Sequence, residues 1–238
     1  TLEPSSAASD VYKRQGLFRA QDPTMSFTTY NVQDALPDNL DCDAYLITGC
    51  KLSVYDDLPW IGALAEFVRQ AIEAKKKLLG ICFGHQLIAH FFGGEAGLAP
   101  VGWAVGVQTS EVVLNPRWMN AVGVPPSALN LVSSHKDQVL KLPDGAEVFA
   151  TSDFCEVSGF TMGNEVLTIQ GHPELTTDYS EALMGVRRQL LGEEVYQAGV
   201  ESLQKTTDER LFTQWMLAFI NDRDSAADRA EVSQQRHG

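Results

Sequence analysis

Residues 78–86 read Leu-Leu-Gly-Ile-Cys-Phe-Gly-His-Gln, an apolar run that stops at a cysteine with a glycine two positions to either side. A buried strand that turns sharply into a helix holds its turn residue in a strained backbone conformation, with the side chain standing clear of the sheet. The residues two before and two after that turn crowd together, which suits Gly80 and Gly84. Cys82 then sits at a helix N-terminus, where backbone N–H groups and the helix dipole favour thiolate over thiol. The pentapeptide alone fits two readings equally. One is a nucleophile elbow with sulfur as the nucleophile; the other is a small buried cysteine in a glycine-rich turn.

A second segment separates them. Gln170-Gly171-His172-Pro173-Glu174 follows another apolar run, residues 165–169. A cysteine nucleophile needs a base for its proton, and that base needs a third group to fix its tautomer and orientation. His172 and Glu174 supply both at the end of one strand, with Pro173 stiffening the backbone between them. Either segment alone has an ordinary alternative, a turn or a surface loop. Together they point to a Cys82, His172, Glu174 triad.

On these motifs the chain resembles the class I, triad-type glutamine amidotransferases, especially the stand-alone glutaminase proteins similar to that of GMP synthetase. The resemblance runs from about residue 26 to about residue 177. It implies an α/β fold of the flavodoxin-like kind, a mostly parallel sheet flanked by helices, with the elbow strand central. Residues 45–56 resemble the family's oxyanion strand and loop, which by position assigns backbone oxyanion donors to Cys50 and Phe83. Such donors are typically worth roughly 3–4 kcal/mol each in barrier height. Where the family usually shows a second glycine and then proline, this chain has Cys50 and Lys51. Residues 131–137, Leu-Val-Ser-Ser-His-Lys-Asp, resemble the segment whose backbone grips the substrate's amino and carboxylate groups. Together with Gly49 and the elbow-helix residue Gln86, this implies substrate contacts at Ser134, His135 and Lys136. A plain polar turn between strands reads residues 133–137 equally well.

Composition limits the partners. A net charge of −13 and a pI near 4.7 make nucleic acid and anionic membranes poor electrostatic partners. No apolar run approaches the roughly 20 residues that span a bilayer. The four cysteines, at 42, 50, 82 and 155, lack Cys-x-x-Cys spacing, so the expectation is no disulfide framework, no metal site and a reducing cytoplasm. Length allows one α/β domain with a sizeable core, and no synthetase domain beside it.

Hydrophobic spacing gives alternating strands and helices. Residues 26–32, 44–48, 77–81, 103–113, 129–133, 147–151, 156–161 and 165–170 read as strands. Residues 60–75, with Ile61, Leu64, Val68 and Ile72 on one stripe, and 84–92 read as helices, and 178–221 as a helical stretch. The polar tail 222–238 reads as frayed. Nothing in residues 1–15 suits a parallel strand buried on both faces, so the family's first strand is expected to be missing and this segment to be foreign to the ancestral chain. The organisation expected is an atypical segment 1–25, a catalytic core 26–177 and C-terminal helices with a tail, 178–238. His85 and His90 read as structural helix residues, and Cys42 and Cys155 as packing residues.

The resemblance implies a glutaminase-type hydrolase that makes glutamate and ammonia through a γ-glutamyl thioester and uses no cofactor. The chain has no pyrophosphatase loop and no Walker motif, so transfer of the ammonia calls for a synthetase partner. Two alternatives stand beside this. A γ-glutamyl peptidase would use the same triad on a larger leaving group, with Trp103 shaping that side. A regulatory or binding protein would keep the site without turnover. A neighbouring family with a cysteine elbow places histidine directly after the cysteine. Here Phe83 follows, and that family is set aside.

Overall fold

Alternation along the elbow strand explains the layers of this molecule, described for residues 7–222 in a computed structural model. In β2 (Lys77–Ile81), Leu78 points into one core with Ile61, Leu64, Val68, Leu87 and Phe160. Its neighbour Leu79 points into a second core with Phe149, Phe212, Trp215 and Phe219. A strand buried on both faces is continuously apolar instead of alternating, which is how residues 78–81 read.

The main sheet has seven strands. In order across it lie β1 (Ala44–Ile47), β2, β9 (Val166–Ile169), β8 (Gly159–Met162), β7 (Ala146–Thr151), β4 (Ala104–Val112) and β5 (Ala128–His135). β1, β2 and β9 pair in parallel. The remaining four pairings are antiparallel. The sheet is therefore mixed, not mostly parallel, because short connections such as the one joining β8 to β9 can return only antiparallel. The elbow strand lies inside the sheet with neighbours on both edges, one strand from its end. A separate two-stranded ladder joins β3 (Glu95–Leu98) to β6 (Asp137–Lys141).

Two helices flank the elbow: α2 (Pro59–Glu73) and α3 (Phe83–Phe91). They lock together where Trp60 stacks on Phe83 at 5.6 Å between ring centroids. α2 starts on Pro59, whose fixed φ suits a first helical position. A short helix α4 (Arg117–Asn120) precedes β5. On the C-terminal side lie α5 (Thr177–Val186), α6 (Arg188–Leu191), α7 (Glu193–Ser202) and α8 (Glu209–Asn221). Thr176 caps α5 by accepting from the Tyr179 N–H at 3.2 Å.

Residues 26–32 are not a strand. They run without regular pairing. Phe27 is held instead by Phe18, at 6.1 Å between centroids, and by the Arg19 guanidinium at 5.0 Å. The chain before them forms a helix, α1 (Ala7–Gln21). Phe18 of α1 is buried in the second core beside α8, and Lys13 sits 4.0 Å over the Tyr179 ring of α5. Of the tail read as frayed, residues 223–238 lie outside the described residues.

Candidate active site

Cys82 follows β2 directly and precedes α3, with φ 51° and ψ −98°. A non-glycine residue at positive φ costs of order 1–3 kcal/mol and persists only where its surroundings enforce it. The enforcement is visible. The Cys82 N–H bonds to the Ile169 carbonyl at 2.9 Å, and its own carbonyl accepts from the Gln86 N–H at 3.0 Å. A Cβ on Gly80 would stand 2.8 Å from the Gly84 carbonyl carbon, and one on Gly84 would collide with the Ile47 carbonyl. Both glycines are needed for β1, β2 and α3 to approach this closely.

His172 arrives from the sheet's next parallel strand. Its N–H donates to the Val132 carbonyl at 2.7 Å, pinning the segment after β9 to β5. The ring Nδ1 lies 2.9 Å from Glu174 Oε1, which orients the other ring edge. Cys82 is the thiol beside this ring, and its charge acts on the imidazole. The two meet over Gly49, where an added Cβ would fall 2.9 Å from His172 Cε1 and 3.7 Å from Cys82 Cβ. Gly49 thus leaves open the space in front of the thiol and imidazole.

A residue that sequence reasoning missed completes the chain. Arg14, on α1, donates to Glu174 Oε1 from Nε at 3.0 Å and from Nη2 at 2.8 Å. That is the oxygen already bonded to His172. The Glu174 side chain is fully buried, and its Oε2 has no hydrogen-bond partner among the described residues. Burial opposes charge on both His172 and Glu174, yet the charges win. The His172 and Arg14 cations hold Glu174 below the usual carboxylate range. Burial would lower His172, but the negative charges of Glu174 and Cys82 raise it above the usual imidazole range. No periodic signal in residues 7–21 advertises Arg14. Only a buried carboxylate in need of a cation could have pointed to one.

The remaining expected site residues are placed as follows. Phe83 is buried and is the first residue of α3, so its N–H is among the donors with no intrahelical acceptor. Cys50 lies in the loop after β1, its Sγ accepting from the Leu52 N–H at 3.5 Å. Gln86 is buried, and its amide donates to the Asp137 carbonyl at 2.8 Å and to Gln170 Oε1 at 3.1 Å. His135 is buried, and its Nδ1 donates to the same Asp137 carbonyl at 3.0 Å. Burial pushes it down to about 4, so it is neutral at pH 7. Ser134 accepts from Arg187 Nη1 at 3.0 Å, while Lys136 is exposed.

The other histidine beside the elbow has a structural role. His85 Nε2 donates to the Val157 carbonyl at 3.0 Å, and Nδ1 accepts from the Thr168 hydroxyl at 2.8 Å. Burial pushes it to about 3, so it ties α3 to the sheet in the neutral form. All four cysteines are free. Burial pushes the Cys155 thiol up to about 11, which makes it a packing group. Among the described residues no cluster of acidic, histidine and cysteine side chains could hold a metal ion. No helix among them is long and apolar enough to cross a membrane.

Comparisons with known proteins bear on the family and the fold. The family model for class-I glutamine amidotransferases matches residues 17–184. Gamma-glutamyl peptidase 3 of Arabidopsis thaliana is 36% identical over 150 residues, covering 60% of this chain and 60% of that protein. The chain thus spans about 60% of that relative's length. The glutamine-hydrolysing GMP synthase subunit of Methanococcoides burtonii is 32% identical over 164 residues, covering 68% of this chain and 79% of its own. Among solved structures, a glutamine amidotransferase from Methylobacillus flagellatus superposes with a TM-score of 0.71 at 23% identity, covering 87% of this chain and 86% of its own. It shares the α/β fold of helices around a curled sheet. The chain belongs to the class-I glutamine amidotransferase family.

Proposed function

We propose that the chain is a cysteine hydrolase of γ-glutamyl amide bonds, with glutamine as the first substrate to consider. One observation carries the reading: Cys82, His172 and Glu174 form a buried relay at an enforced positive-φ elbow. The Cys82 sulfur attacks the γ-carbonyl carbon, and the oxygen takes negative charge facing the Cys50 and Phe83 N–H groups. Collapse breaks the C–N bond as His172 gives its proton to the leaving nitrogen. Ammonia departs, leaving a γ-glutamyl thioester. Water then attacks, His172 takes its proton, and breaking the C–S bond releases glutamate. Every proton moved passes through His172, whose charged form Glu174 stabilises.

A second reading has its own support. Gamma-glutamyl peptidases stand among the relatives at 36% identity, and the same relay serves an amine leaving group if the pocket admits it. In either case, using the ammonia for synthesis would need a partner, since the GMP synthase relatives are named as one subunit of that enzyme. The four free cysteines suit a reducing compartment, and the reading places the protein in the cytoplasm. The test incubates purified protein with glutamine and a panel of γ-glutamyl peptides, measuring both ammonia and released amine. Turnover that vanishes in Cys82→Ala supports the reading. Absence of turnover on all of them, with the protein folded, overturns it in favour of a binding role.

A further inference from the structure

A cation that the reaction does not use is held at Ser134, two residues along β5 from the bridge partner of His172. Val132 lies opposite His172 in an antiparallel bridge, so their side chains share one face of β5. Ser134, two residues on, shares that face too, roughly 6.6 Å along the strand. Ser133 and His135 alternate to the other side, where they line a cavity with Gln170 and Cys155. On the Ser134 face, register sets Val105 opposite it, and Trp103 packs in the same cluster as Val105 and Met184.

Arg187, directly after α5, reaches over this face. Its Nη1 donates to Ser134 Oγ at 3.0 Å, and its guanidinium carbon lies 5.8 Å from the Trp103 ring centroid. It is half-buried, and among the described residues it forms no ion pair. Lys136 follows β5 directly, next to the terminal Ala104–His135 pair; it is exposed and equally without a carboxylate among the described residues. What sets Arg187 apart in a chain of net charge −13 is that a hydroxyl and an indole, not a carboxylate, hold it. A guanidinium fixed by a hydroxyl and an indole keeps its other donors in a plane that matches a carboxylate.

We propose that Arg187, held by Ser134 and Trp103 and flanked by Lys136, forms a carboxylate-binding subsite for γ-glutamyl substrates. The proposal rests on the hydrolase reading above and adds what the site selects. Two sources carry this chemistry: the glutamyl α-carboxylate, and the carboxylate of an amino-acid leaving group.

The test compares wild type with Arg187→Gln and Arg187→Lys on three substrates. These are a γ-glutamyl amino acid, the same compound with its leaving-group carboxylate amidated, and the same compound with its α-carboxylate amidated. For the uncapped substrate, Arg187→Gln is expected to lower kcat/KM about tenfold to a hundredfold, chiefly through KM, with partial rescue in Arg187→Lys. The capped substrate that is insensitive to Arg187→Gln names the carboxylate held. Equal losses on all three substrates would overturn the subsite, since a purely structural role lowers them together. Thermal melts report whether each variant is folded. Calorimetric binding of the same three compounds to Cys82→Ala, with and without Arg187→Gln, reads the subsite without turnover. A failure of hydrolysis thereby stays separate from a failure of this proposal.

Discussion

Replacing Arg14 with Met keeps much of the side-chain volume and removes the guanidinium that bonds Glu174 Oε1 through two nitrogens. The Arg14 side chain is only 9% exposed and that of Glu174 0%. Removing one partner of a buried ion pair typically costs about 3–5 kcal/mol, because the other charge is stranded. Glu174 keeps His172, so the lower end, about 3 kcal/mol, is expected. For a chain of this size that corresponds to a fall in Tm of roughly 6–12 °C. A second effect is chemical. The guanidinium draws on the same carboxylate oxygen that steadies the His172 cation, so its loss strengthens the remaining pair. The alkaline limb of the kcat/KM profile, where His172 gives up its proton, is expected to move to higher pH. Circular-dichroism melts and a pH series of initial rates measure both. A variant with wild-type Tm and an unmoved profile would refute the reasoning, because α1 would then not be docked on the triad in solution.

Three further outcomes are expected. Limiting iodoacetamide near neutral pH should label Cys82 ahead of Cys155, Cys50 and the exposed Cys42, because only Cys82 faces a protonated imidazole; peptide mapping that finds Cys42 first would remove the elbow's main support. Cys82→Ala and His172→Ala should each cost about a thousandfold or more in kcat with the double variant hardly worse, while Glu174→Gln retains more activity; additive losses would mean the two do not act as one unit. Because the Glu174 pKa is lowered on folding, its contribution is present above the ordinary carboxylate pKa and is lost as pH falls through the folded value; Tm should therefore decline below about pH 4.5, and Glu174→Gln should flatten that decline, an unaltered slope counting against the buried pair.

What the sequence revealed of this fold follows the range of the interactions involved. The elbow was legible because its demands are local: Gly80 and Gly84 are required within two residues of Cys82, and the strand before it is apolar on both faces. Helix α2 was legible for the same reason, its stripe of Ile61, Leu64 and Val68 lying within three turns. Residues 26–32 have strand-forming chemistry at Phe27 and Tyr30 but pair with no strand, and pairing is a tertiary fact that propensity does not contain. The mixed sheet was hidden because strand direction is set by connection length and not by composition. The ladder of β3 with β6 was hidden because both strands are short and half polar. Arg14 was illegible because its carboxylate lies 160 residues away and α1 has no apolar stripe to announce a buried face. Around the substrate, the segment 133–137 was read as a unit, whereas strand alternation sends its side chains to opposite faces: His135 into the interior and Ser134 toward Arg187.

The central claim is that Cys82 carries the γ-glutamyl group during turnover. Rapid acid quench of the protein with a γ-glutamyl substrate, followed by peptide mass spectrometry, tests it directly. One γ-glutamyl group is expected on the Cys82 peptide, formed within the first turnover and absent from Cys82→Ala and His172→Ala. Turnover with no adduct at Cys82, or an adduct on Cys50 or Cys155 instead, would contradict it.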